Sequence, residues 1–178
     1  DAAEAGVLPA QIVGVVVNRK DAYALTRAAN HGIPTLYFPL KPYRDAGRPR
    51  EAYDADLTAK VAEFTPDLIV LAGWMHLFSP VFVDTFKWRV INIHPALPGA
   101  FDGTHGIERT FEAYQRGEVD RGGCMVHEVI HEMDAGPVIA SVEVAIFPDD
   151  TLDTFAARLH AAEHQLLVQA TCIALGRV

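Results

Sequence analysis

The chain has 178 residues, enough for one domain with a real core and short for two. Half of it is hydrophobic and 21% is charged, an ordinary balance for a globular protein, and no apolar run reaches the roughly 18 residues that a membrane-spanning helix needs. Lys and Arg total 15 against 23 Asp and Glu, a formal charge of −8, so the overall field repels nucleic acid phosphates and any anionic ligand must be held by local groups.

Cys124 and Cys172 form no CxxC pair and read as reduced thiols, which suits a cytoplasmic setting. The opening Asp1-Ala2-Ala3-Glu4 has neither the basic nor the apolar stretch of a signal peptide. It also lacks a Met, so the expectation is a natural chain that starts further upstream.

Ile12–Val17 is a β-branched run and predicts a buried strand. Ala22–Ala29 predicts a helix ending near His31-Gly32. Thr35–Phe38 is a short strand stopped by Pro39, and Leu40–Pro49 reads as loop. Arg50–Phe64 predicts an amphipathic helix with Tyr53, Leu57, Val61 and Phe64 on one stripe. Asp67–Ala72 is a second apolar strand, followed by Gly73, the segment Trp74–Phe78 and a short helix opened by Ser79-Pro80. Arg89–His94 is a third strand, and the Pro- and Gly-rich stretch 95–106 excludes regular structure. Ile107–Arg116 predicts a helix, Gly123–Ile130 and Val138–Ile146 two strands around a turn, and Thr151 to about Leu175 a long helix capped by Asp149-Asp150-Thr151. Alternating strands and helices predict an α/β open, mostly parallel sheet with helices on both faces, and antiparallel pairing near its edge where the last connection is short.

Alternate residues of a strand share a face, so Val90, Asn92 and His94 point one way and Ile91 and Ile93 the other. Two polar groups on one face at the C-terminal end of an apolar strand sit where open α/β sheets bind ligands. Taken singly, Asn92 and His94 are also what a hydrogen-bonded strand end looks like. Asp134, in Glu132-Met133-Asp134-Ala135-Gly136-Pro137, is also what a turn needs. Together they suit acyl transfer to an amine. A carboxylate within roughly 4–6 Å of an imidazole favours the charged ring. An amide and an imidazolium can both donate to the oxygen of a tetrahedral intermediate. No Ser or Cys nucleophile is needed, because the amine itself attacks.

The stretch Ile91-Asn92-Ile93-His94-Pro95-Ala96-Leu97-Pro98-Gly99 resembles the signature of the folate-dependent formyltransferases. Met133-Asp134-Ala135-Gly136-Pro137-Val138-Ile139 resembles their second block. Pro98-Gly99-Ala100-Phe101-Asp102-Gly103-Thr104-His105 is most similar to the branch that formylates glycinamide ribonucleotide, and the similarity runs over nearly the whole chain. The resemblance implies a Rossmann-like α/β domain over 1–178. It implies 10-formyltetrahydrofolate as formyl-donor cosubstrate, glycinamide ribonucleotide as acceptor in purine biosynthesis, and no resident metal. Nucleic acid and membrane are not implied as partners, and a homodimer is admissible. It implies His94 as catalytic acid, Asn92 as oxyanion partner and Asp134 as the residue that tunes His94.

The same resemblance implies a folate site from Arg50, Met75, His76, Leu77, Phe78 and Asn92, faced by Ile130, His131, Glu132, Met133 and Asp134. Glu163, with His160 nearby, would contact the nucleotide, and His127 would support the catalytic group. His76 stands where the family usually has Arg. The family also opens with a strand and a Gly-rich phosphate loop, which are expected ahead of Asp1.

Three rivals are drawn from the same residues. His160-Ala161-Ala162-Glu163-His164 fits the H-x-x-E-H pattern of a zinc hydrolase. A formyltetrahydrofolate hydrolase, or a formyltransferase for another amine, would use the same catalytic trio. A non-catalytic folate-binding module would keep the pocket alone.

Overall fold

The computed structural model describes residues 1–176. Its contacts fall into two units: Asp1–Asp67 with Phe78–Phe86, and Leu68–Leu77 with the chain from Lys87 onward.

In the first unit, β1 (Val15–Val17) pairs in parallel with β2 (Thr35–Tyr37) across α1 (Tyr23–Asn30). The strand expected from Ile12 begins only at Val15, because its partner offers three residues and the ladder has the partner's length. Leu40–Pro49, expected as loop, contains the short helix α2 (Lys41–Asp45). Pro42 sits in its first turn, where the missing N–H breaks no helical bond. Helix α3 (Arg50–Ala62) buries Tyr53, Leu57 and Val61 of the predicted stripe, whereas Phe64 lies past its end and is half-buried. On the same helix lies a buried charge: Asp54 accepts from Arg50 Nε at 3.0 Å and from the Ser79 backbone N–H at 2.7 Å. The second bond ties α3 to the start of α4 (Pro80–Thr85). Burial pushes the Tyr53 phenol up to about 12, and its hydroxyl donates to the Phe38 carbonyl.

In the second unit, four strands run in the order β3-β4-β5-β6. They are β3 (Ile69–Leu71), β4 (Val90–His94), β5 (Arg121–Glu128) and β6 (Val138–Ala145). β3 and β4 are parallel, whereas β4–β5 and β5–β6 are antiparallel. The mostly parallel sheet expected from the alternation is therefore corrected to mixed sheets in an α/β fold. Once β5 reverses against β4, a short turn returns β6 antiparallel as well.

One face of this sheet packs on α6 (Leu152–Leu175) and α5 (Gly106–Gln115). Ile91, Cys124, Val126 and Val144 meet Phe111, Phe155, Leu159 and Leu166 there. β5 begins at Arg121, two residues earlier than expected, because Gly122 belongs to the strand as Gly123 does. A Cβ on Gly122 would lie 2.5 Å from the Phe155 ring, and one on Gly123 would lie 2.4 Å from both Leu97 and the Val142 carbonyl.

Helix α6 opens with the expected cap. Thr151 and Thr154 form a reciprocal capping box. Asp150 takes both terminal nitrogens of Arg158 at 2.8 and 2.7 Å, which holds its carboxyl well below the usual carboxylate range. Among the described residues, no helix is long and apolar enough to cross a membrane.

Candidate active site

The other face of β4 and β5 carries the polar residues. Register places Asn92 opposite His127 and His94 opposite Met125. Period-two alternation puts all three polar side chains on the side away from α6, and His94 and His127 are each only 3% exposed.

Asp134 arrives from the turn after β5. It adopts a left-handed backbone, φ 51°, which short polar residues tolerate. The turn is pressed against its own strand, since a Cβ on Gly136 would lie 1.7 Å from the Glu128 carbonyl oxygen. Glycine is required there for close approach.

The carboxylate sits between two imidazoles. Asp134 Oδ2 lies 3.5 Å from His94 Nδ1, and Oδ1 lies 3.4 Å from His127 Nε2. Both distances are long for a charge-assisted hydrogen bond. Asn92 Nδ2 lies 3.2 Å from His127 Nε2. The amide, two imidazoles and carboxylate, distant in sequence, thus form one connected cluster.

Two members of this network were invisible in the sequence because they act through backbone. The Gly103 N–H donates to Asp134 Oδ2 at 2.8 Å, and the Phe101 carbonyl oxygen lies 3.2 Å from His94 Nε2. That oxygen can only accept, so Nε2 must carry a hydrogen in this contact. Phe101 has φ 52° and His105 φ 61°, strained values for residues with side chains, and sparsely populated backbone of this kind clusters at functional sites. The only sequence signal for this loop was the motif Pro98–His105 itself.

Of the remaining candidates, Met75 and Leu77 are 69% and 59% exposed. They are therefore not core residues, and large apolar side chains left in solvent suit a ligand wall. The His76 ring lies 5.9 Å from that of Trp74. In the turn before Asp134, Met133 is 45% exposed, and His131 and Glu132 are exposed beside half-buried Ile130.

Arg50 and Phe78 belong to the first unit. There Arg50 is anchored by Asp54, and Phe78 stacks on Phe82 with ring centres 3.8 Å apart. On α6, Glu163 faces inward, 17% exposed, with His160 Nε2 at 4.0 Å. Burial raises its carboxyl above the ordinary value, against the pull of His160 and His164.

Two clefts share no residue with the Asn92–His94–His127–Asp134 cluster. One of about 710 Å³ runs along β1 and α1, and one of about 580 Å³ lies around Arg121 and Glu143. The zinc reading of the α6 pattern finds no gathered ligands. Among the described residues, the three-ligand grouping with atoms within 4.8 Å of one another is exposed Asp1, Glu4 and His31, not His160, Glu163 and His164.

Residues 1–171 match the family model described as Formyl transferase. A phosphoribosylglycinamide formyltransferase of Schizosaccharomyces pombe is 47% identical over 178 residues, covering 96% of this chain and 86% of that protein. Its counterpart in Dictyostelium discoideum is 38% identical, covering 96% and 87%. The crystal structure of phosphoribosylglycinamide formyltransferase from Bacillus halodurans superposes with a TM-score of 0.88 at 34% identity, covering 98% of this chain and 85% of that one.

Proposed function

Because the chain belongs to the formyl transferase family, we propose that Asn92, His94 and Asp134 perform its chemistry within one catalytic domain. The reaction is transfer of a formyl group to the amine of glycinamide ribonucleotide in purine biosynthesis. The donor in this reading is 10-formyltetrahydrofolate.

The acceptor nitrogen attacks the formyl carbon. A carbon–nitrogen bond forms, and the carbonyl electron pair moves onto oxygen. That oxygen takes the hydrogen of His94 Nε2, in place of the Phe101 carbonyl, and a hydrogen of Asn92 Nδ2. Asp134 orients the His94 ring through Nδ1 and offers a carboxylate to the proton leaving the amine, directly or through water. As the oxygen pair re-forms the carbonyl, the bond to the folate nitrogen breaks and that nitrogen takes up the proton.

The observation that supports this division of labour is the placement of Asp134 between two buried imidazoles, one of them beside the Asn92 amide. Met75, His76 and Leu77, with Ile130, His131, Glu132 and Met133, are proposed to line the pterin end of the folate. Arg50 and Phe78 are proposed to contact the rest of that molecule. Glu163, with His160 beside it, is proposed for the nucleotide. The proposed setting is cytoplasmic, where Cys124 and Cys172 would be held as reduced thiols.

The test is formyl release from 10-formyltetrahydrofolate with and without glycinamide ribonucleotide. Release that depends on the acceptor, matched by formylated product, is expected. Equal release in its absence would make the enzyme a hydrolase and overturn the assignment.

A further inference from the structure

His127 lies at an irregularity of the β5–β6 ladder. Val126 pairs with Ala140 and His127 with Val138, leaving Ile139 without an opposite residue. Bulges of this kind occur next to active sites. Here the ring is buried directly across the ladder from Asn92.

The hydrogen positions of this ring follow from its partners. His127 Nδ1 lies 2.9 Å from the Glu128 carbonyl oxygen, which can only accept, so Nδ1 carries a hydrogen. In the neutral ring, Nε2 is then a bare lone pair. Asn92 Nδ2 lies 3.2 Å from it. An amide nitrogen only donates, so in the neutral ring the bond runs from Asn92 to His127. Asp134 Oδ1, 3.4 Å from the same Nε2, is an acceptor and cannot satisfy a lone pair.

We propose that His127 is a positioning residue whose Nε2 lone pair holds the Asn92 amide with its nitrogen inward, leaving the second Nδ2 hydrogen for the reacting carbonyl oxygen. The inference rests on the oxyanion role proposed for Asn92. It adds the reason that an amide, which has a donor end and an acceptor end of nearly equal size, keeps the donor in place. The reversed amide would present Oδ1 to an oxygen gaining negative charge, which opposes the reaction. The other tautomer of His127, or the doubly protonated ring, would turn Nε2 into a donor. Its partner would then be Asp134 Oδ1 rather than Asn92.

Three measurements test this. The first needs no substitution: nitrogen NMR of histidine-labelled protein at neutral pH. His127 is expected in the Nδ1–H tautomer, and an Nε2–H tautomer overturns the proposal.

The second compares His127→Gln with His127→Leu. Gln reaches about as far as Nε2 and can still accept, whereas Leu cannot. His127→Leu is expected to lower kcat by about 10- to 100-fold, less than or near the effect of removing an oxyanion donor outright. KM for both substrates is expected to stay within about 2-fold, and His127→Gln to recover most of kcat, since only uniform binding would move KM alone. A rise in KM with kcat unchanged refutes the role.

The third is a double-mutant cycle. With Asn92→Ala already present, His127→Leu should lower kcat no further, because residues acting as a unit are not additive. Full additivity makes His127 an independent packing residue and sinks the proposal. Failure of the underlying reading has its own signature, an Asn92→Ala enzyme with normal kcat.

Discussion

Strands β4 and β5 present two faces with opposite chemistry. Toward α6 stand Ile91, Ile93, Cys124 and Val126, packed on Phe111, Phe155, Leu159 and Leu166. On the reverse stand Asn92, His94 and His127, with the Asp134 carboxylate within 3.5 Å of both rings. The two sets alternate residue by residue, so one face of the strands carries the core and the other the residues proposed for the chemistry. Burial therefore means different things on the two sides. On the apolar face it silences: the Cys124 thiol, fully buried, is pushed up to about 12 by burial and by Glu163, and stays an unreactive apolar filler at neutral pH. On the polar face it strengthens each donor and acceptor, because a low-dielectric setting magnifies hydrogen bonds that are satisfied.

The largest effect should come from the apolar face and should not touch chemistry. Phe155→Ala removes a fully buried ring from between α6 and Gly122. It is expected to lower the unfolding free energy by about 3–5 kcal/mol. Denaturant titration measures that loss, and assay of the folded fraction should return nearly unchanged kcat and KM. A large fall in kcat at constant folded fraction would show that the two faces are coupled.

On the polar face the pattern reverses. His94→Ala is expected to lower the transfer rate by at least about 10²-fold, the scale of a positioned general acid, with a small change in melting temperature. Asp134→Asn should fall between His94→Ala and the native enzyme, since the amide keeps the shape but can neither hold the ring through charge nor accept the amine proton. Single-turnover rates at saturating substrates decide the matter. A native rate for Asp134→Asn would remove the carboxylate from the mechanism.

Most of this contrast was legible in the sequence because it rests on period. The alternation in Val90–His94 separated Asn92 and His94 from Ile91 and Ile93, and the turn around Gly136-Pro137 marked Asp134. What was not legible depends on partners rather than on local pattern. The sheet is mixed because β5 reverses against β4, and a strand's own residues do not state the direction of its neighbour. The expected strand opened at Gly123 and left Gly122 out, since nothing in the composition of Gly122 announces the Phe155 ring that needs its missing Cβ. The contacts of Phe101 and Gly103 to His94 and Asp134 are made by backbone atoms that every residue owns. Asp54 sits in a helical stripe pattern as an ordinary polar residue, and only the fold reveals it buried between Arg50 and Ser79.

Glu163 sharpens the comparison most finely, because it is a carboxylate on the element that covers the apolar face. Its partner His160 Nε2 is 4.0 Å away, beyond a hydrogen bond, and burial is the leading cause of its raised pKa. A raised carboxyl favours the protonated form in the fold. Its contribution is therefore fully present below the ordinary value of 4.5 and is lost as pH rises through the folded value. At neutral pH the ionised group is a burden on stability, so Glu163→Gln should raise the melting temperature at pH 7, by about 2–4 °C for each kcal/mol relieved in a chain of this size. The advantage should disappear below about pH 4, where both forms are neutral. A group that weakens the fold makes sense if it meets a ligand, and the hydroxyls of the nucleotide ribose would provide the donors that Glu163 does not find in His160. The same substitution should then raise KM for glycinamide ribonucleotide by about 10-fold, the loss of one charged hydrogen bond, with kcat preserved and KM for the folate unchanged. Thermal melts across pH, read beside those two KM values, separate the cases. Greater stability with both KM values unchanged would leave Glu163 a structural burden and no contact to the nucleotide.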